Sequence, residues 1–258
     1  MRFKLTLRIL PEVSGREIPI NYQYELTSAI YKMLSKGNAD YATWLHDNAF
    51  RADNKTFRLF TFSRLSAPFN IDKGRARLVF KSDLVTWNIA FLPERSTKEF
   101  VSGVFKNQCF EIGDSMSGAM FQVSEIQIMP ELNYTPDTIF ETMSPVCISH
   151  KNDDGKTDYL SPDDDRYTDG ILSGLMSRYS AFYGRPYEGE KFCNLKLLSE
   201  PKSSLITIKA GTPAATRVRG YMYRFKLELP SELMHIAYES GLGEKGSLGF
   251  GMIKTARQ

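Results

Sequence analysis

Three histidines, His46, His150 and His235, stand far apart in a chain of 258 residues. Histidine is the side chain whose ordinary pKa lies nearest neutrality, so it is the first candidate for moving a proton at physiological pH. His46 falls on a short helical stretch ahead of a polar loop, His150 lies in a polar loop, and His235 sits between Met234 and Ile236, a structural setting. A second chemistry is written near the end of the chain. Gly241, Gly243, Gly246, Gly249 and Gly251 fall within eleven positions, as two Gly-apolar-Gly triplets around the five-residue spacer 244–248 that holds Lys245. Glycine accepts positive φ and lets a second backbone come close. Successive amide N–H groups in such loops form anion-binding nests, and a lysine adds a point charge for phosphate. Phe250, Met252 and Ile253 follow as anchors, which argues against a flexible tail. The loop follows a helix and leads into a short strand, whereas a dinucleotide-binding loop follows a strand and opens a helix.

Other chemistries are poorly supplied. Asp153, Asp154, Asp158 and Asp163 to Asp165 lack the alternating ligands, central glycine and distal glutamate of a calcium loop, and read as a solvated loop and an acidic helix start. Cys109, Cys147 and Cys193 are odd in number and widely spaced, so neither a zinc site nor a disulfide framework is expected, and a reducing cytoplasm fits. No metal and no cofactor is assigned. A net charge of +3 permits nucleic-acid binding without demanding it. The N-terminus alternates polar and apolar residues, so it is expected to be a strand and not a signal peptide. No apolar run approaches the roughly 20 residues of a membrane helix, so no membrane partner is expected.

The elements that must position these groups come in two sets. Phe3, Leu5, Leu7 and Ile9 alternate with Arg2, Lys4, Thr6 and Arg8, a half-buried strand with a basic outer face. From Tyr22 to Ser35, the residues Leu26, Ile30, Met33 and Leu34 keep a helical period, with Gly37 as the stop. Asn38 caps a second short helix that carries Tyr41, Leu45 and His46. Strands are expected over Phe57–Ser63, Ala76–Ser82 and Leu84–Leu92, a helix over Glu94–Asn107, and strands over Cys109–Ile112 and Met120–Met129. After a boundary at Pro130 to Pro136 come a strand over Phe140–Ser149 and a polar loop over Lys151–Asp165. A helix capped by Ser161 or Asp163 then runs to about Tyr183. Strands over Phe192–Leu198, Leu205–Ala210 and Arg219–Leu229, a helix capped by Ser231, the glycine loop and a last strand complete the chain. Each set reads βαββαβ, so the expected fold is α+β, two tandem ferredoxin-like domains at 1–130 and 136–258.

The spacing Gly-apolar-Gly, five residues, Gly-apolar-Gly, then apolar residues resembles the glycine-rich loop of the repeat-associated RNA-binding proteins of CRISPR systems. With two ferredoxin-like halves and the stretch Phe60-Thr-Phe-Ser-Arg-Leu65, the chain is similar to the CRISPR-associated endoribonucleases that cut precursor CRISPR RNA within each repeat, the Cas-six family. The resemblance implies a metal-independent cut in which the 2′-hydroxyl attacks the phosphate, leaving a 2′,3′-cyclic phosphate and a 5′-hydroxyl. It implies a tyrosine of the first helix paired with a histidine fifteen residues later, here Tyr31 and His46. It also asks for a nearby cation, for which Lys55 is the first choice and Arg51 the alternative. RNA contacts are expected at the five loop glycines, Lys245 and Lys254, and at Arg217 and Arg219, whose neighbours Tyr221 and Tyr223 could stack bases. The implied partner is CRISPR repeat RNA, precursor and processed guide alike. Other effector subunits and a homodimer are compatible with it. Two rival readings stand beside this one: a guide-RNA-holding subunit that does not cut, and a small-molecule enzyme or sensor on the same scaffold.

Overall fold

The alternation at the N-terminus becomes a strand, Arg2–Ile9, with Phe3, Leu5, Leu7 and Ile9 buried. The structure is a computed structural model and describes residues 1–106 and 108–256. This strand pairs antiparallel with Leu84–Phe91 on one side and Gly118–Ile128 on the other. Phe60–Phe62 and Cys109–Gly113 complete the sheet at its two edges. The helices Gln23–Gly37 and Glu94–Lys106 bury Leu26, Ile30, Leu34, Phe100 and Val104 in the same core. Each such side chain contributes about 1.5–3 kcal/mol by leaving water. The order, second strand, third, first, fourth, is that of a ferredoxin-like domain, with Cys109–Gly113 added at the edge.

The second half repeats the plan. Asn194–Leu197, Arg224–Glu228, Ile139–Thr142 and Ile253–Thr255 pair in that spatial order, and the helices Tyr167–Tyr183 and Ser231–Ser240 pack on them. The chain is therefore α+β, with two tandem ferredoxin-like domains. Residues 129–138 form neither strand nor helix, and we place the domain boundary at 130–136.

Several local expectations are corrected. The expected strand Phe57–Ser63 breaks into Lys55–Phe57 and Phe60–Phe62, because Leu59 is left-handed at φ 55°. Arg77–Phe80 leaves the main sheet and pairs with Glu17–Pro19 and Phe69–Asp72. The helix after Glu94 is described to Lys106, and Asn107 lies outside the described residues. The strand from Phe140 stops at Thr142, and the polar loop after it contains a hairpin, Ser149–Lys151 with Thr157–Tyr159. The helix to Tyr183 starts at Tyr167 with no side-chain cap, so neither Ser161 nor Asp163 caps it. Pro230 and not Ser231 precedes the last helix.

The largest departure is the ribbon Lys202–Ile208 with Thr216–Met222, which stands outside the C-terminal sheet. Its Ile206, Ile208 and Val218 are buried with Cys147 and Phe250, and Tyr24 of the first helix packs against them. Asn21 accepts from the Thr207 amide at 3.0 Å, and Arg64 donates to Ser204 at 2.9 Å. The ribbon is a strap from the second domain onto the first.

Candidate functional site

The first helix carries Tyr31, and two close backbone approaches hold it in place. A Cβ on Gly37 would lie 2.0 Å from the Glu99 carbonyl oxygen, and one on Gly103 would lie 1.7 Å from that of Met33. The next helix, Ala39–Asp47, starts at Asn38, whose side chain accepts from the Tyr41 amide at 3.0 Å. It folds back so that the rings of Tyr31 and His46 meet edge to face, with centroids 5.3 Å apart. Tyr31 makes the same kind of contact with Phe60 at 5.9 Å.

His46 is open to solvent, with 68% of its side chain exposed. Its Nδ1 lies 2.6 Å from Asp47 Oδ1. The carboxylate accepts the Nδ1 proton, which leaves Nε2 as the ring atom free to exchange a proton. Burial pushes the Tyr31 phenol up to about 12, while the charge and hydrogen bond of Arg58 pull against that rise. Tyr31 is therefore protonated at neutral pH, a state in which it can donate a hydrogen bond. The rise has a consequence for stability. The unfolded chain gives up this proton near its ordinary pKa of about 10, and the folded chain keeps it to about 12. The stabilisation is complete below the lower value and is lost as pH climbs to the upper one. We expect the melting temperature to fall across that window, and Tyr31→Phe to make the fall shallower.

The predicted cations part company here. Lys55 is exposed and opens the strand Lys55–Phe57 of a hairpin with Phe50–Ala52. Among the described residues no hydrogen bond, ion pair or ring contact joins it to Tyr31 or His46. Arg51 donates to the Asn48 carbonyl at 3.2 Å and lines a groove with Asp169, Ser173 and Lys191 of the second domain. Arg58 was not among the expected residues, and it bears on both partners: its Nη2 donates to the His46 carbonyl at 2.7 Å, and its positive charge lowers the pKa of the Tyr31 phenol against the effect of burial. His150 lies exposed on a hairpin, and His235 is exposed between buried Met234 and Ile236, so neither joins the pair.

The glycine loop sits between the two domains, and its glycines answer to packing. Gly241, Gly243, Gly249 and Gly251 all have positive φ. A Cβ on Gly243 would meet the Cys147 carbonyl at 2.6 Å, and one on Gly249 would meet the Phe62 ring at 2.5 Å. Thr61 donates to the Phe250 carbonyl at 2.8 Å. Buried Arg178 donates to the Gly241 carbonyl and to Ser240 Oγ, the latter at 3.2 Å. Burial lowers that guanidinium to about 10, with the charge of Glu244 pulling the other way. Most loop amides are spent internally, as Leu242 to Gly251, Glu244 to Cys147 and Gly251 to Pro145. Those of Lys245, Gly246 and Ser247 donate to no protein acceptor among the described residues, so this tip is the open part of the nest.

The tip lies beside the Tyr31 helix. Thr27, one turn before Tyr31, donates to the Ser247 carbonyl at 2.9 Å. A Cβ on Gly246 would come within 2.8 Å of the carbonyl of Phe60, the residue whose ring meets Tyr31. Lys209 of the strap lies over the Tyr24 ring at 5.6 Å. Arg217 and Arg219 stand exposed on the strap, with Arg219 donating to Ser203 at 3.2 Å. Tyr221 is half-buried and Tyr223 is buried against Tyr167. Lys254 is separate, paired with Glu141 at 2.7 Å in a cleft between the two sheets. The aspartates are scattered among local partners such as Lys156 and Arg166, and no group of three or more His, Cys, Asp or Glu side chains converges among the described residues.

Two ferredoxin-like domains with a glycine-rich loop seated between them, and a tyrosine–histidine pair beside that loop, define a class of proteins. The chain belongs to the Cas6 family: residues 17–127 match "CRISPR-associated protein Cas6, N-terminal" and residues 129–255 match "CRISPR associated protein Cas6, C-terminal". It is 28% identical to the CRISPR-associated endoribonuclease Cas6 1 of Methanocaldococcus jannaschii over 92% of this chain and 86% of that protein. It is also 28% identical to the CRISPR-associated endoribonuclease Cas6 of Pyrococcus furiosus, over 99% of this chain and 90% of that one. The solved structure for a Cas6-related gene of Pyrococcus furiosus superposes with a TM-score of 0.84 at 26% identity, covering 100% of this chain and 99% of the other. No helix among the described residues is long and apolar enough to cross a membrane.

Proposed function

We propose that this chain is an endoribonuclease that cuts precursor CRISPR RNA within the repeat. It uses no metal and leaves a 2′,3′-cyclic phosphate and a 5′-hydroxyl. The observation that carries the reading is the edge-to-face contact of Tyr31 and His46, one helical turn from the point where the glycine loop touches the same helix. In the cut, the 2′-oxygen bonds to phosphorus as its proton leaves to a base, and the bond from phosphorus to the 5′-oxygen breaks as an acid protonates that oxygen. His46 Nε2 supplies one of these transfers. Tyr31, held protonated, bonds a phosphate oxygen or the 2′-hydroxyl and fixes the line of attack. Asp47 keeps the imidazole in one tautomer. The amides of Lys245, Gly246 and Ser247 hold backbone phosphate near the cut.

The test is cleavage of an end-labelled repeat RNA in EDTA. One cut, ending in a cyclic phosphate and abolished by a 2′-deoxy substitution at the cut site, is expected. Strict dependence on a divalent ion sinks the mechanism. Tight binding without any cut leaves the guide-holding subunit as the better reading.

Arg217 and Arg219 would meet the RNA on the exposed side of the strap. Each phosphate contact releases counterions, at a salt slope of about 0.9 per contact on a duplex and about 0.7 on a single strand. Replacing both by alanine is expected to lower that slope by roughly one to two and to weaken binding for all sequences alike. An unchanged slope in filter binding across a salt series would remove both residues from the interface.

A further inference from the structure

We propose that Arg58 is the cation that completes the active site, binding the scissile phosphate in place of Lys55 and Arg51. The proposal rests on the nuclease reading above and deepens it. The attack of a 2′-oxygen on a phosphate diester gathers negative charge on the two non-bridging oxygens, and a pair such as Tyr31 and His46 brings no permanent positive charge to them. Three basic side chains lie on or just beyond the hairpin that follows His46, and their surroundings differ. Lys55 is exposed at the start of its strand, and among the described residues no hydrogen bond or ion pair joins it to Tyr31 or His46. Arg51 is tied to Asn48 and lines the groove against that domain. Among the described residues, Arg58 is the one of the three that hydrogen-bonds a member of the pair, through the His46 carbonyl.

The turn at Leu59 places it there. Leu59 is buried and left-handed, and its carbonyl accepts from Leu92 at 3.0 Å. The chain leaves the hairpin through this turn and enters Phe60–Phe62, whose first residue touches Tyr31. Arg58 is held at the corner, half-buried, with one N–H on the His46 carbonyl. A guanidinium has five N–H donors in a rigid fork. With one on the His46 carbonyl, donors remain for the two non-bridging oxygens of a phosphate, the bidentate geometry at which arginine excels. Arginine keeps its charge at any working pH, so its part is electrostatic and not proton transfer.

The experiment is single-turnover cleavage of a labelled CRISPR repeat RNA in EDTA by the parent, Arg58→Gln, Arg58→Lys and Lys55→Ala. Binding of the 2′-deoxy repeat and the melting temperature are measured alongside. Removing a donor aimed at developing charge costs about 100- to 1,000-fold in rate. Arg58→Gln is expected to lose that much at saturating protein while the deoxy repeat binds within about threefold of the parent, as the electrostatic role requires. Arg58→Lys should recover part of the rate, since it restores charge without the fork. An active parent with an equally active Arg58→Gln overturns the proposal. So does a loss confined to Lys55→Ala, which would name Lys55 as the cation. If Arg58→Gln and Arg58→Lys are equally inert and both melt early, Arg58 only props the helix and the proposal fails. An inert parent overturns the nuclease reading and this one together, so the two failures are told apart by the first lane.

Discussion

His46→Ala is expected to lower the single-turnover rate of repeat cleavage by about 100- to 10,000-fold, the usual span for loss of a general acid or base. That corresponds to roughly 3–5 kcal/mol of barrier. The expectation is sharp because the side chain has little structural work to lose. Its side chain is 68% exposed, its one hydrogen bond among the described residues runs to its exposed neighbour Asp47, and its ring meets that of Tyr31 edge to face. The variant should therefore melt with the parent and bind the 2′-deoxy repeat as tightly. Rate and affinity thus separate, as they do when an interaction is made mainly in the transition state. A variant that cuts at the parental rate would take His46 out of the mechanism. Since His150 and His235 lie outside the pair, the acid–base role would then pass to a group other than histidine.

The fold was largely readable in advance, and so was the meeting of Tyr31 with His46. Period-two burial at Phe3, Leu5, Leu7 and Ile9 and the helical stripe Leu26, Ile30, Met33 and Leu34 are local patterns, and both became buried faces. The Tyr31–His46 contact needs only two adjacent helices to fold back on each other, with Asn38 as the cap between them. Arg58 was hidden for a physical reason. Phe57 to Ser63 has the composition of one strand, and no local signal marks Leu59 as left-handed, a conformation that residues other than glycine, asparagine and aspartate seldom adopt. The turn is imposed by the junction of the hairpin with the main sheet. The strap was hidden likewise. Leu205 to Ala210 and Arg219 to Leu229 carry ordinary strand patterns, and it is contacts far along the chain, such as Asn21 with Thr207 186 residues away, that hold the ribbon off its sheet. The glycines were read as a phosphate nest. Three tip amides keep that reading alive, while the two flanking triplets serve the seam between domains.

Gly251→Ala carries a large expected loss of stability. A methyl group there would lie 2.1 Å from the carbonyl oxygen of Leu242, far inside van der Waals contact, and φ is +79°. The neighbour cannot step aside, because Leu242 donates to the Gly251 carbonyl at 2.7 Å and the Gly251 amide donates to Pro145 at 2.8 Å. Left-handed backbone costs an L-residue about 1–2 kcal/mol, and overpacking a tight site adds about 1–3 kcal/mol. At roughly 2–4 °C per kcal/mol in a chain of this size, the melting temperature should drop by about 5–15 °C. Gly155→Ala separates the two causes, since Gly155 also has positive φ, at +77°, but its methyl would meet nothing within 4 Å. It should cost only the backbone share. The two variants should part in RNA binding as well. Displacing Leu242 and Gly251 shifts both ends of the loop that presents Lys245, Gly246 and Ser247, so Gly251→Ala should weaken repeat binding even below its melting point. Gly155, on the hairpin turn far along the chain, should leave it unchanged. Equal melting shifts for the two variants would mean that the close approach of the triplets is not what holds the domains together.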